Sequence, residues 1–279
     1  MTTGKLSEIE TRFLREARLK RRRVAIGIWR PEAEVVDNLR AASGYVDLVV
    51  VGCKLNGINC IPTKDDDEAS RRIVDLVKSG TVEGFVRAQL KDSFTHRVWL
   101  EAFPQAEAKQ KVIPAFIAKE GQWFVAPGIS NYNALTLEQK RHEILRTIEW
   151  LKENLGITPT IAITSTRRLS GRVGEFGLLE EIAQRCAQVA DELRQRGYDI
   201  KEYYIEYERA VWEGRTLICP AIGMIGNTWV KALVYLGGWK FVGAPYLDQG
   251  AYYDDCPRNY RQWFWPIIST AAWLNRGRL

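Results

Sequence analysis

Histidine is nearly missing from this chain. Two histidines in 279 residues, His96 and His142, leave too little for a histidine-built metal centre or for Ser-His nucleophile machinery. Cysteine offers no framework either: Cys53, Cys60, Cys186, Cys219 and Cys256 are odd in number, scattered and free of any CxxC pair. That pattern argues against both a disulfide scaffold and a zinc ribbon and reads as buried thiols. No apolar run approaches the length of a membrane span. The stretch MTTGKLSEIETRFLREARLKRRRVAIGI lacks the apolar core of a secretory signal, and Glu8, Glu10 and Glu16 argue against an organellar transit peptide. A cytoplasmic protein is the expectation. Internal repeats and low-complexity linkers are also absent, and VAIGIWRP supplies no glycine-rich turn after the first expected strand. An S-adenosylmethionine methyltransferase of the doubly wound kind would need one there.

What is present is ordinary for a globular protein: 46% hydrophobic and 27% charged residues, enough for one large α/β domain or two medium ones. The net charge of +6 raises the question of nucleic acid, and RLKRRR, from Arg18 to Arg23, is the densest basic run. It falls where a first amphipathic helix carrying Leu6, Ile9, Phe13 and Leu14 inward would end, and basic residues are favourable at a helix C-terminus. Nucleic acid and membrane are therefore not the expected partners. Surplus positive charge also suits phosphorylated small molecules. Ten tryptophans are unusual, but Trp99, Trp123, Trp150 and Trp229 sit in otherwise apolar patterns and read as core.

Along the chain, the strand RVAIGI leads to a helix opened by Pro31, and YVDLVVVG reads as a second strand. LNGINCIPTKDDD reads as a loop. A helix with Ile73, Val74, Leu76 and Val77 inward follows, then a short strand in VEGFVRAQL and a helix closed by Pro104. Such β-α alternation predicts a parallel sheet covered by helices, with ligands at the carboxyl ends of its strands. A new series starts near Val112: VIPAFIA, WFVAPGISNYN, the long helix TLEQKRHEILRTIEWLKENLG, the strand TPTIAIT, the polar loop STRRLSGRVGEFG and another helix. YIEYERAV reads as the end of a strand, and a last helix closes the chain.

Three stretches carry residues suited to chemistry. In CPAIGMIGNTWVKALVYLGG, residues 219–238, an apolar strand passes through two glycines into a helix for which Asn227 is a good cap. Gly226 would let the backbone approach a ligand, and a helix N-terminus suits an anion. In TSTRRLSGR, the hydroxyls of Ser165, Thr166 and Ser170 and arginines including Arg168 follow a predicted strand, a composition that suits phosphate. DDCPR, Asp254 to Arg258, places carboxylates, a thiol and an arginine on one turn.

The order of these features resembles the phosphate acetyltransferase and butyryltransferase superfamily. The matching positions are Thr164 to Ser170, Ile205 to Ala210, Gly226, Asn227 and Lys231, then Pro245, Gly250, Asp255 and Arg258. Upstream, DSFTHRVWLEAF resembles the family's arginine-bearing helix, with Arg97 at the arginine. Within the superfamily the chain is most similar to the MtxX-type branch, phosphotransacetylase-like proteins that carry a methyltransferase label in methanogens. The resemblance implies a two-domain α/β/α sandwich of the isocitrate-dehydrogenase and isopropylmalate-dehydrogenase type with an interdomain cleft. Its domains would be residues 1–111 with 245–279, and residues 112–244.

The implied reaction moves an acyl group between phosphate and the thiol of coenzyme A. It needs no metal or cofactor, and coenzyme A would serve as a substrate; the implied assembly is a homodimer. In that picture Arg258, Arg97, Ser165, Thr166, Arg168 and Ser170 hold phosphate, Gly226 and Asn227 shape the helix start, and Asp255 serves at the catalytic turn. The chain departs from the pattern at two places. Pro257 replaces the serine of the family's Ser-Arg pair, and Phe264 stands near where acetyltransferases carry an aspartate. Three other readings stand beside acyl transfer. They are a binding or regulatory protein that keeps the phosphorylated ligand without turnover, a metal-dependent decarboxylating dehydrogenase on the same fold, and, least of all, a methyltransferase.

Overall fold

A computed structural model describes residues 5–104, 112–129, 136–167, 177–247, 251–258 and 260–276. In chain order the elements begin with α1 (Glu8–Ala17), β1 (Arg23–Ile28), α2 (Ala33–Ser43), β2 (Asp47–Gly52) and β3 (Asn59–Pro62). They continue with α3 (Asp66–Lys78), β4 (Gly84–Val86) and α4 (Asp92–Ala102). The middle of the chain carries β5 (Ala115–Lys119), β6 (Gln122–Ala126), α5 (Leu137–Leu155), β7 (Ile161–Thr164) and α6 (Gly177–Gln195). After these come β8 (Ile200–Tyr204), α7 (Tyr207–Trp212), β9 (Leu217–Cys219) and α8 (Gly223–Tyr235). The last elements are β10 (Lys240–Gly243), β11 (Tyr252–Asp254) and α9 (Phe264–Arg276). The chain divides into two compact units. Leu6–Lys111 with Lys240–Leu279 forms the first, and Met1–Lys5 with Val112–Trp239 the second.

The first unit is built on a parallel sheet in the order β11-β4-β1-β2-β3. Val24 to Ile28 and Leu48 to Gly52 are buried without interruption, as a parallel strand covered on both faces requires. Helix α9 supplies much of the cover, with every residue from Trp265 to Leu274 buried. Phe13 of α1 meets Trp273 edge-on at 4.6 Å between ring centroids. Helix α1 is opened by a capping box between Ser7 and Glu10, two orphan donors satisfied reciprocally. Its Glu16 is held by Arg276 and Arg12, whose guanidiniums keep the carboxyl below the usual carboxylate range against the opposing effect of burial.

The segment expected to be a loop contains the four-residue edge strand β3. It has no buried alternation for a sequence reading to detect, and its Pro62 is tolerated because an edge strand has one unpaired side.

In the second unit β5-β6-β9-β7-β8 lie side by side. β6, β9, β7 and β8 run parallel, whereas β5 and β6 form an antiparallel hairpin. The hairpin turns at Glu120 and Gly121, whose φ values are 49° and 88°, the left-handed pair that matches the twist of the flanking strands. The YIEYERAV stretch is a strand end followed by the short helix α7, which packs Tyr207 on Trp229 of α8 at 4.7 Å. The chain thus has the α/β/α class expected from its sequence.

Candidate functional site

In the first unit the carboxyl ends of β1 and β4 open on a cleft of about 520 Å³ lined by Trp29, Arg30, Glu32, Gln89, Arg258, Tyr260 and Arg261. Its floor is set by backbone. Gly27 of β1 packs so closely on the turn after β4 that a Cβ there would come 2.9 Å from Arg87 O, a distance that admits only glycine. The side-chain oxygen of Gln89 accepts the N–H groups of both Trp29 and Arg30 at 2.7 Å. Its amide nitrogen donates to Arg30 O at 3.2 Å. Gln89 therefore fixes the backbone on which Arg30 stands.

Three guanidiniums line the cleft. Arg258 donates from Nη2 to Asp66 Oδ2 at 3.0 Å, and Arg261 lies 3.2 Å from Glu32. Arg30 makes no ion pair among the described residues. Three cations against two carboxylates leave the rim electropositive, and guanidinium forks match phosphate oxygens. The Trp29 indole N–H is buried with no hydrogen-bond partner among the described residues.

Asp255 is not at this rim. Its Oδ1 accepts from Arg87 Nε at 2.5 Å and from the Tyr253 hydroxyl at 3.1 Å, and the carboxylate is only 7% exposed. Arg87 donates further to Leu90 O and Cys256 O, each at 2.8 Å. Burial works against the Arg87 charge, but the Asp255 carboxylate outweighs it and holds the guanidinium above its ordinary pKa. This pair ties the turn after β4 to the segment that ends in Arg258, so Asp255 acts on the cleft by position. Its neighbour Asp254 is wholly buried, accepting from Ala244 N at 2.8 Å and Cys256 N at 3.1 Å, and burial pushes its carboxyl up to about 7.

Arg97 stands elsewhere in the same unit. It lies on an exposed face of α4, stacked 4.8 Å over Phe94 and 3.9 Å from Glu101, and it is not among the described residues lining the cleft. The residues that join Arg258 there are Arg30 and Arg261, which no motif singled out. The only sequence signal for Arg30 was its position just past an apolar strand.

In the second unit, Thr164, Ser165 and Thr166 follow β7. Thr164 Oγ1 donates to Cys219 O at 3.0 Å and Thr166 Oγ1 to Leu179 O at 2.5 Å. Ser165 N donates to Tyr204 O at 2.7 Å, while its hydroxyl is buried without a partner among the described residues. Arg168 and Ser170 lie outside the described residues.

Helix α8 begins earlier than its sequence suggested. Its N-cap is the extended Ile222, with no side-chain cap bond. Asn227 lies inside the helix and donates from Nδ2 to Ile129 O at 3.3 Å, so it braces α8 against the Ile129 backbone and does not cap the helix. The close approach that Gly226 permits is to Pro220: a Cβ would stand 2.6 Å from the Pro220 ring and 3.2 Å from Ile129. Both corrections share a cause. The helix turns in immediately after Ala221, and the buried Lys140 ammonium on α5 satisfies the Pro220 and Ala221 carbonyls that this sharp entry leaves free. A groove of about 600 Å³ runs beside α8 from the end of β7.

No family model matches the chain. Its architecture is that of the phosphotransacetylases. It superposes on a phosphotransacetylase from Streptococcus pyogenes with a TM-score of 0.63 at 16% identity, covering 99% of each chain. A branched-chain phosphotransacylase from Enterococcus faecalis gives 0.62 at 14% identity, covering 92% of this chain and 99% of that one. In sequence the chain is related to the "Putative methyltransferase mtx subunit X" of Methanosarcina acetivorans. The two are 28% identical over 265 residues, 91% of this chain and 89% of the relative. The resemblance read from the sequence, to the superfamily and to its MtxX-type branch, is met by both comparisons.

Proposed function

We propose that the protein transfers an acyl group between an acyl phosphate and a thiol such as that of coenzyme A, with the arginine cleft as the phosphate seat. The observation that carries this reading is the convergence of Arg30, Arg258 and Arg261 at the carboxyl ends of β1 and β4, the edge where open parallel sheets receive ligands. In the reaction the thiol sulfur attacks the acyl carbon, a C–S bond forms, and the C–O bond to phosphate breaks. The electron pair leaves on a phosphate oxygen, where guanidiniums offset the growing charge, and the thiol proton passes to the departing phosphate. The phosphotransacetylase fold supports this class of chemistry.

The test is thioester formation by the purified protein from coenzyme A and a panel of acyl phosphates, with Arg258→Ala as the control. Arginine-dependent turnover is expected; no thioester from any donor removes the reading.

A second reading has its own support. Glu32 and Asp66 are each engaged by an arginine, and Asp255 is locked on Arg87, so none of these carboxylates stands free as a base. A relative's name speaks of a methyltransferase subunit. On this reading the cleft binds a phosphorylated ligand and the chain serves a protein partner. Phosphate-dependent stabilisation without turnover, together with a defined complex in sedimentation, is the result expected of it; a homodimer, as in the first reading, would appear in the same experiment.

A further inference from the structure

The groove beside α8 has a chemistry opposite to that of the arginine cleft. Its described lining comes from the end of β7, the first turn of α6, the approach to α7 and one face of α8, and none of those residues is charged. Leu179, Ile205, Met224 and Ile225 are 44%, 42%, 54% and 40% exposed. Trp229 and Ala232 continue the apolar wall, with Tyr207 and Thr228 also in the lining and the Thr228 hydroxyl spent on Met224 O at 2.9 Å. Contiguous exposed apolar surface rimmed by polar groups marks a binding site more often than chance exposure does.

The polarity has a direction. Thr164 bonds the carbonyl of Cys219, four residues before α8 starts, so the Thr164, Ser165 and Thr166 hydroxyls belong to the end of the groove at the α8 N-terminus. From Met224 to Ala232 the wall then follows α8 for about 12 Å at 1.5 Å per residue.

We infer that this groove holds a linear acyl chain of about eight carbons, a length matched to two helical turns, with its oxygen-bearing end toward the hydroxyls. The inference concerns the groove of the second unit by itself and stands apart from the acyl-transfer reading. The described lining carries hydroxyls and apolar groups and no charge. An amphiphile with one polar end and a long apolar tail suits hydroxyls at one end and Met224, Ile225, Trp229 and Ala232 along the described wall. A partner's helix or a second copy of this chain would cover the apolar wall but leave the hydroxyl end unused.

The intact protein is titrated calorimetrically with acetate, butanoate, hexanoate and octanoate. Each added methylene is expected to tighten binding by roughly fourfold, the equivalent of about 0.8 kcal/mol. Ala232→Phe should cancel the gain beyond about four carbons. Ile225→Asn, at an exposed position that folding tolerates, should weaken octanoate while leaving acetate unchanged. Affinity independent of chain length, or an equal gain in Ala232→Phe, overturns the inference. So does a wild-type dimer that Ala232→Phe dissociates without any alkanoate binding, which would give the groove to a second copy. Thioester formation from acetyl and octanoyl phosphate separates the two claims. Turnover of acetyl phosphate with flat alkanoate binding keeps the reaction and loses the groove. Chain-length-dependent binding without any turnover loses the reaction and keeps the groove.

Discussion

Arg87 and Asp255 form an ion pair of 2.5 Å in which both side chains are almost wholly withdrawn from water, at 6% and 7% exposure. One sits just past β4 and the other just past β11, so the pair locks two adjacent parallel strands together where they open on the arginine cleft. Removing Asp255 leaves the Arg87 guanidinium buried with only the more distant Asp92, at 4.0 Å, to offset its charge. Asp255→Ala should therefore lower unfolding stability by about 3–5 kcal/mol, read from denaturant midpoints. A change below about 1 kcal/mol, as for surface pairs, would contradict this account of Asp255.

Arg30 should matter for ligand and little for fold. Its side chain has no ion pair among the described residues, so Arg30→Ala should change stability by no more than about 0.5 kcal/mol. Loss of a charge-assisted hydrogen bond of about 1.5–3 kcal/mol should weaken phosphate or acyl phosphate affinity by roughly 10- to 100-fold. Calorimetric titration checks both Arg30→Ala and Arg258→Ala. Unchanged phosphate affinity in both variants would dismiss the cleft as an anion seat.

Asp254 gives stability a pH dependence of unusual sign for a carboxylate. Its pKa rises on folding from 3.8 to about 7, so between those values the folded state holds a proton that the unfolded state has lost. Stability therefore falls as pH rises from about 4 to about 7 and levels off above that, by at most a few kcal/mol. Denaturation of the wild type and Asp254→Asn across this range should give a steeper fall in the wild type. Parallel profiles would show that Asp254 ionises normally.

Gly226 is held by packing. A methyl group there meets the Pro220 ring at 2.6 Å, so Gly226→Ala should cost about 1–3 kcal/mol as an overpacked site does. Urea midpoints for Gly226→Ala and for Gly226→Ala combined with Pro220→Ala provide the check. Removing the ring should recover most of the loss.

Local pattern carried much of the architecture. The unbroken apolar runs of β1 and β2, the amphipathic α3 and the capped α5 are legible because burial on both faces, a 3.6-residue period and an N-cap hydroxyl leave direct traces in neighbouring residues. The order of motifs was enough to indicate the α/β/α class and the likeness to the phosphotransacetylase fold. Tertiary structure decided what depends on residues far apart in the chain. Arg30, Arg258 and Arg261 meet because β1 is a central strand with β4 beside it, and Asp255 is withdrawn from that rim by an arginine 168 positions away. Lys140 reaches across 80 residues to the Pro220 carbonyl at the entry to α8, which is why the helix starts at Gly223 with Asn227 inside it. Strand order and the partner of a buried charge are set by the closing of the sheets, and no local stretch of sequence encodes either one.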